Sequence, residues 1–304
     1  MTLHPDVLVD RRRLKRRLRL WQGIALAALA GLIVAAVVVP FSDIVERDRI
    51  VRFHVAGLIV EDAERDAALR ALAGQDHVRA LVVHIDSSGG TVVGGEDLYN
   101  ALREVGTKKP VVAVMGTLAT SAAYMTAVAS DRVFAREGTI TGSIGVILQT
   151  ANIVGLLDKI GIEPQTIKSG PLKAIPSPVE PLTDEGRAVT RSLVLDMYDF
   201  FVDLVAERRN LPRDALLPLA DGRIYTGRQA VKNGLIDAIG DERSALAWLT
   251  ESREIPAGLP VQTLTVRHDT DAFAELFEGI AGKSLFSNAL LLDGLISVWQ
   301  PSGR

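Results

Sequence analysis

The sequence predicts an α/β protein with a largely parallel sheet. From residue 50 onward, apolar runs of strand character alternate with runs of helical spacing. The loops richest in glycine and serine follow the carboxyl ends of the predicted strands, where folds of this class usually place their sites.

The elements follow in order. Residues 50–60, "IVRFHVAGLIV", read as a strand bent at its glycine, and 62–74, "DAERDAALRALAG", as a helix stopped by Gly74. Residues 78–86, "VRALVVHID", are an apolar strand that "SSGG" is expected to break. A helix continues from "TVVGGEDLYNALREV" at 91–105, and "KPVVAVMG" at 109–116 is the next strand. A small-residue helix then starts at Ser121 in "GTLATSAAYMTAVAS". Residues 131–147 are turn-punctuated and β-rich, and 163–183 form a proline-bearing loop. In 184–208, Val189, Leu193, Met197, Phe200, Phe201, Leu204 and Val205 recur at helical spacing behind a Thr183 cap. A short helix capped by Thr226 and stopped by Gly234 precedes a last strand or turn.

The N-terminus is of another kind. Residues 20–41, "LWQGIALAALAGLIVAAVVVPF", carry no charge, and at about 1.5 Å per residue they span roughly 33 Å, enough for a bilayer core. Arg11, Arg12, Arg13, Lys15, Arg16, Arg17 and Arg19 precede this run, which places the N-terminus on the cytoplasmic side. The run is longer than the apolar region of a cleaved signal peptide, so an uncleaved anchor is expected. The predicted organisation is a basic tail (1–19), a transmembrane anchor (20–41), a linker (42–49), a globular domain (50–265) and a helical tail (266–304). That tail is read as helical from Phe273, Leu276, Phe277 and Ile280 and from the apolar run at 285–299. It would pack on its own domain, clasp a neighbouring subunit or lie in a membrane interface. Without the first 41 residues, 27 basic residues face 35 acidic ones, which argues against a nucleic-acid partner. With no cysteine, the chain offers neither a disulfide nor a thiol nucleophile.

Ser121, after a strand and a loop, is either a helix cap or a nucleophile. A nucleophilic serine needs a base. Of the five histidines, His4 precedes the anchor, His54 and His84 lie within strands, and His268 sits near the tail, with His77 the fifth. No G-x-S-x-G elbow surrounds Ser121 and no metal-ligand cluster is present, so neither a metal nor a cofactor is expected. Lysine is the other available base. It is ordinarily protonated at neutral pH and has to be desolvated, among apolar and small neighbours, to accept a proton. Lys173 in "GPLKAIP" has such neighbours, and Lys168 in "TIKSG" is a second candidate. Gly89 and Gly90 allow close backbone approach for oxyanion donors, and the amide of Ala122 lies at a helix start. Ser143 in "TGSIG" is either a turn residue or a hydroxyl that holds an amine.

Four segments together resemble the signal peptide peptidase A family of membrane-anchored bacterial serine proteases. They are "IDSSGGTVVGGEDLYNAL", "GTLATSAAYMTAVASDRVFAREGTITGSIGVI", "IKSGPLKAIPSP" and "ADGRIYTGRQAVKNGLIDAIG". The resemblance implies a Clp-protease-like or crotonase-like core of repeated β-β-α units and a ring-like homo-oligomer. It implies Ser121 as nucleophile, Lys173 as general base, Ser143 as the hydroxyl holding the lysine, and Gly90 and Ala122 as oxyanion donors. The expected activity is endopeptidase action on cleaved signal peptides or other membrane-derived peptides, outside the cytoplasmic membrane. An acyl-coenzyme A enzyme on the same core and a non-catalytic membrane scaffold are the alternatives. Two departures from the family pattern stand out. Asp86-Ser87-Ser88-Gly89-Gly90 replaces the usual Asn-Ser-Pro-Gly-Gly, and alanines rather than glycines follow Ser121. An inward-facing Asp86 would oppose an oxyanion, so its direction matters.

Overall fold

A computed structural model describes residues 21–29, 47–266 and 296–298. The chain divides into two units, Met1–Arg47 and Asp48–Arg304. In the first, residues 21–29 form a helix, α1, with exposed side chains. Among the described residues no helix is long and apolar enough to cross a membrane. The basic cluster and most of the expected anchor lie outside the described residues.

The second unit alternates strands and helices as the sequence predicts: β1 (Arg49–Ile59), α2 (Ala63–Leu72), β2 (Val78–Thr91), α3 (Val92–Gly106), β3 (Val111–Thr120) and α4 (Ala122–Val128). It continues with β4 (Arg132–Ala135), β5 (Ile140–Gly142), α5 (Val154–Lys159), α6 (Asp184–Arg209) and α7 (Arg213–Leu216). A 3₁₀ turn (Leu217–Leu219), β6 (Ile224–Thr226), α8 (Gly227–Lys232), β7 (Ala238–Ile239), α9 (Glu242–Arg253), β8 (Val261–Thr263) and β9 (Ile296–Val298) complete it. The main sheet path runs β6-β5-β3-β2-β1-β8, with β4, β7 and β9 branching from it. All pairings are parallel except β5 with β6 and β2 with β9.

Strand alternation sorts the core into two faces. Ile50, Ala80, Val82, Val112 and Val114 pack against Ala245 and Leu249 of α9. Their neighbours Val51, Phe53, Leu81, Val83, Ala113 and Met115 pack on the other side with α3, α4 and α6. The expected bend in β1 is a register shift between Ala56 and Leu58, where Gly57 has φ +71°.

The structure departs from the sequence reading in three places. "SSGG" does not end β2. Gly89 and Gly90 still pair with Leu58 and Ile59 of β1, and the strand runs to Thr91. The apolar stripe of α6 is buried only in its last part, at Phe201, Leu204 and Val205, while Val189, Leu193 and Phe200 are exposed. Helical spacing records an apolar stripe but not how far the sheet beneath it extends. In the tail, Ile296–Val298 form a strand rather than a helix. They pair with Gly89–Thr91 of β2, and Ile296 and Val298 are β-branched residue types suited to a strand. The rest of the tail beyond 266, including Phe273, Leu276, Phe277 and Ile280, lies outside the described residues.

Candidate active site

β2 and β3 run parallel, and their carboxyl ends carry the site. Their pairing reaches Ser87 opposite Ala119, and the Thr120 hydroxyl donates to the Ser88 carbonyl at 3.1 Å. Ser121 follows directly and begins α4. It occupies the N-cap position but makes no capping hydrogen bond with its side chain. Its backbone lies at φ 60°, ψ −125°, a conformation that costs a non-glycine residue about 1–3 kcal/mol and persists only where surrounding structure enforces it. Ser121 is 1% exposed.

The enforcement is visible on every side. The Ser121 amide donates to the Gly142 carbonyl at 2.9 Å, and the Met125 amide donates to the Ser121 carbonyl at 2.9 Å. Tyr124 is fully buried and donates its hydroxyl to the Leu235 carbonyl at 2.8 Å; burial pushes the phenol well above its usual pKa. Arg208, in the last turn of α6, donates to the carbonyls of Val128 and Ser130 and so closes the far end of α4. Its neighbour Arg209 makes two 3.0 Å hydrogen bonds to Asp237, whose carboxylate also accepts from the Val133 amide. Tyr124, Arg208, Arg209 and Asp237 carry no signal in sequence, because their partners are mostly backbone groups distant along the chain. Replacing Tyr124 by Phe leaves the Leu235 carbonyl without this donor and is expected to cost about 1–3 kcal/mol, measured by urea denaturation.

Ser143 begins the segment that leaves β5. It follows Gly142, which both pairs with Thr120 and accepts from the Ser121 amide. Like Ser121 it has positive φ, 52°, and it is buried. Two strained serines, held by the same glycine, thus flank one point at the end of the sheet.

The Ser87–Gly90 end of β2 is tied down by hydrogen bonds in place of the family's proline. The Ser87 hydroxyl donates to the Gly57 carbonyl at 2.6 Å and accepts from the Gly89 amide at 3.1 Å. The Asp86 carboxylate is engaged with β3: it accepts from the Leu118 amide at 3.1 Å and lies against Gly116. Gly90 is constrained by its own fold, since a Cβ there would stand 1.7 Å from the Ile59 carbonyl oxygen. Gly90→Ala is therefore expected to lower stability by about 3 kcal/mol and to abolish activity, checked by thermal melting alongside peptide hydrolysis. Ala122 is accommodated by a glycine elsewhere. A Cβ on Gly95 of α3 would come 2.9 Å from the Ala122 Cβ, so α3 supplies the space that the alanine takes.

The structure does not bring Lys173 into this buried cluster. It sits on an exposed turn whose backbone bond runs from the Lys173 amide to the Gly170 carbonyl at 3.1 Å. One chain alone therefore lacks the burial that a lysine base needs. Lys168 is ion-paired with Glu180, and that hydrogen bond holds Glu180 below the usual carboxylate range.

The strand histidines face the other way. His84 continues the Ala80–Val82 side toward α9 and lies 3.2 Å from Glu242, to which Arg52 is also paired. The His54 and His84 ring centroids are 5.4 Å apart. Burial, opposed by Glu242 and assisted by His54 and Arg52, holds the His84 imidazole below the ordinary histidine range. A histidine depressed in the folded state contributes stability that is complete above the unfolded value and is lost as pH falls through the folded one. The melting temperature is expected to fall as pH drops below about 6.5. His84→Gln should flatten that fall; an unchanged pH dependence in this variant would count against the assignment.

The model of peptidase family S49 matches residues 103–256, more than half of the chain, and covers Ser121, Ser143 and Lys173. The chain belongs to peptidase family S49. The Clp protease family model also matches residues 48–141 of this S49 peptidase. A Synechocystis sp. protein named as a protease is 41% identical over 204 residues, covering 66% of this chain and 73% of that one. An Enterococcus faecium protein that carries the name signal peptide peptidase SppA is 33% identical over 247 residues, covering 76% and 70%. The chloroplastic serine protease SPPA of Arabidopsis thaliana is 29% identical over 229 residues, covering 75% of this chain and 34% of that one.

Proposed function

We propose that this S49 peptidase is a membrane-anchored Ser/Lys-dyad endopeptidase acting on cleaved signal peptides or other membrane-derived peptides. The observation that carries the reading is Ser121: buried, strained, without a capping role and set at the parallel ends of β2 and β3. Its Oγ attacks the scissile carbonyl while neutral Lys173 takes the proton. The backbone amides of Gly90 and Ala122 hold the oxyanion, Ser143 holds the lysine amine, and water releases the acyl group with the lysine again as base. The apolar run at 20–41 behind its basic cluster supports a cytoplasmic N-terminus and a protease domain outside the cytoplasmic membrane. The names of the relatives support the substrate class. A serine-reactive phosphonate should label Ser121 in the wild-type chain and nothing at that position in Ser121→Ala; labelling that survives the substitution would sink the assignment.

The exposure of Lys173 supports an oligomer as the active form. Ile147, Leu156, Ile160, Ile162, Ile167 and Leu172 are exposed on the stretch that carries it, as are Val189 and Leu193 on α6. So many large apolar side chains concentrated on one surface stretch mark a protein contact, here with further copies of the chain. Burial in that contact supplies the desolvation that the base requires. Specific activity should therefore fall on dilution together with the mass measured by light scattering. Full activity in a monomeric fraction would oppose this.

A further inference from the structure

The segment "ADGRIYTG", residues 220–227, has no role in the proposed mechanism. Its strand β6 lies antiparallel on β5, with Thr226, Tyr225 and Ile224 opposite Ile140, Thr141 and Gly142. Two backbone contacts at the end of β5 fix the serines of the site. The Ser121 amide donates to the Gly142 carbonyl at 2.9 Å, and the Ser143 amide donates to the Arg223 carbonyl at 2.8 Å. Gly142 itself has φ +85°, and a Cβ on it would come 2.7 Å from Cδ2 of Tyr225. The Tyr225 ring thus closes off the space beside a residue whose backbone is intrinsically the freest. The ring is pinned in turn. Tyr225 is 7% exposed, and its hydroxyl donates to the Leu219 carbonyl at 3.0 Å. Before β6 the Asp221 carboxylate accepts from the Arg223 amide at 3.1 Å. After it the Gly227 amide donates to the Thr139 carbonyl at 2.8 Å, and a Cβ on Gly227 would stand 2.0 Å from the Arg136 carbonyl oxygen.

We infer that Tyr225 is a positioning residue for Ser121 and Ser143, acting through Gly142. The inference rests on the peptidase reading of Ser121. Ser121 holds its unfavourable φ of 60° only while surrounding groups enforce it, and the acceptor of its amide is the Gly142 carbonyl. Removing the Tyr225 ring leaves a void beside Gly142, and a glycine beside a void can change φ and ψ at little cost. Its carbonyl then turns, and the start of α4 moves with it. A displacement of about 1 Å at a reacting group costs about 10²-fold in rate. The contact governs the placement of the nucleophile, so the loss falls on kcat rather than KM. Through the backbone of β5, the segment 220–227 becomes part of what makes Ser121 reactive.

The test compares three variants of the full chain. Tyr225→Ala should lower kcat for an extended apolar peptide about 100-fold with KM within about twofold, and should slow phosphonate labelling of Ser121 to the same degree. Tyr225→Phe keeps the ring against Gly142 and loses only the bond to Leu219, so kcat should return to within about threefold of wild type. Leu249→Ala truncates a buried residue of α9 on the other face of the sheet. It should lower the urea midpoint as Tyr225→Ala does and leave kcat and labelling unchanged, which separates positioning from loss of stability. Should Tyr225→Ala not fold, Tyr225→Leu retains most of the buried volume without the flat ring and should lower kcat about tenfold. A Tyr225→Ala or Tyr225→Leu chain as active as Leu249→Ala would overturn the inference. Tyr225→Phe as inactive as Tyr225→Ala would overturn it too, since the hydroxyl and not the ring would then matter. Absence of labelling at Ser121 in the wild-type chain would defeat the peptidase reading itself and the inference with it.

Discussion

Ser121→Ala is expected to lower kcat by about 10⁴-fold or more while leaving the melt cooperative, since removing a serine nucleophile costs about as much as removing its whole catalytic unit. The structure sharpens this beyond loss of a hydroxyl. Ser121 makes no capping hydrogen bond with its side chain, so the substitution removes no cap. The strained backbone at φ 60° remains, because alanine has the same Cβ. Ser121→Gly relieves that strain and is expected to be equally inactive but more stable than Ser121→Ala by about 1 kcal/mol. Activity assays and urea denaturation on the two variants separate the chemical role of the residue from its conformational cost. Retained hydrolysis in folded Ser121→Ala would remove the nucleophile from the mechanism.

Lys173→Ala is expected to lower kcat by about 10³-fold, within the range of general-base losses, and Lys168→Ala by less than about tenfold. The contrast follows from their surroundings. Lys168 already serves an ion pair with Glu180, and its removal loosens a loop. Lys173 stands on an exposed turn with the apolar residues proposed to meet another copy. Steady-state rates of both variants, taken at a concentration where the wild-type chain is assembled, decide between them. The reverse order would move the base to Lys168.

The α/β class, most element positions and the segment around Ser121 were legible in sequence because each is a local property. The alternation from β1 to α4 is written in hydrophobic period, and the caps at Thr183 and Thr226 follow from side chains reaching backbone amides three residues ahead. "GTLATSAAYM" showed where a nucleophile could stand but could not show positive φ, because that strain is imposed by Gly142, Tyr124 and Arg208 from elsewhere in the chain. The extent of β2 was misread for the same reason. Glycine and serine signal a break locally, yet here pairing with β1 and the Ser87 hydrogen bonds carry the strand through them.

By itself the sequence determined most of the order of strands and helices, the basic-then-apolar run of the N-terminus and the residue types available for acyl transfer. These depend on composition, period and near-neighbour chemistry, which the chain order records directly. Only the tertiary structure decided that His84 faces α9 rather than Ser121, that Asp86 turns to the backbone of β3, and that the Ser121 amide is bound by the Gly142 carbonyl. It alone placed Ile296–Val298 on the edge of Gly89–Thr91. Each of these is a choice of side or partner between segments distant in sequence, set by sheet register and by which edge a neighbouring strand leaves open. A one-residue change in register would reverse it without altering any local pattern.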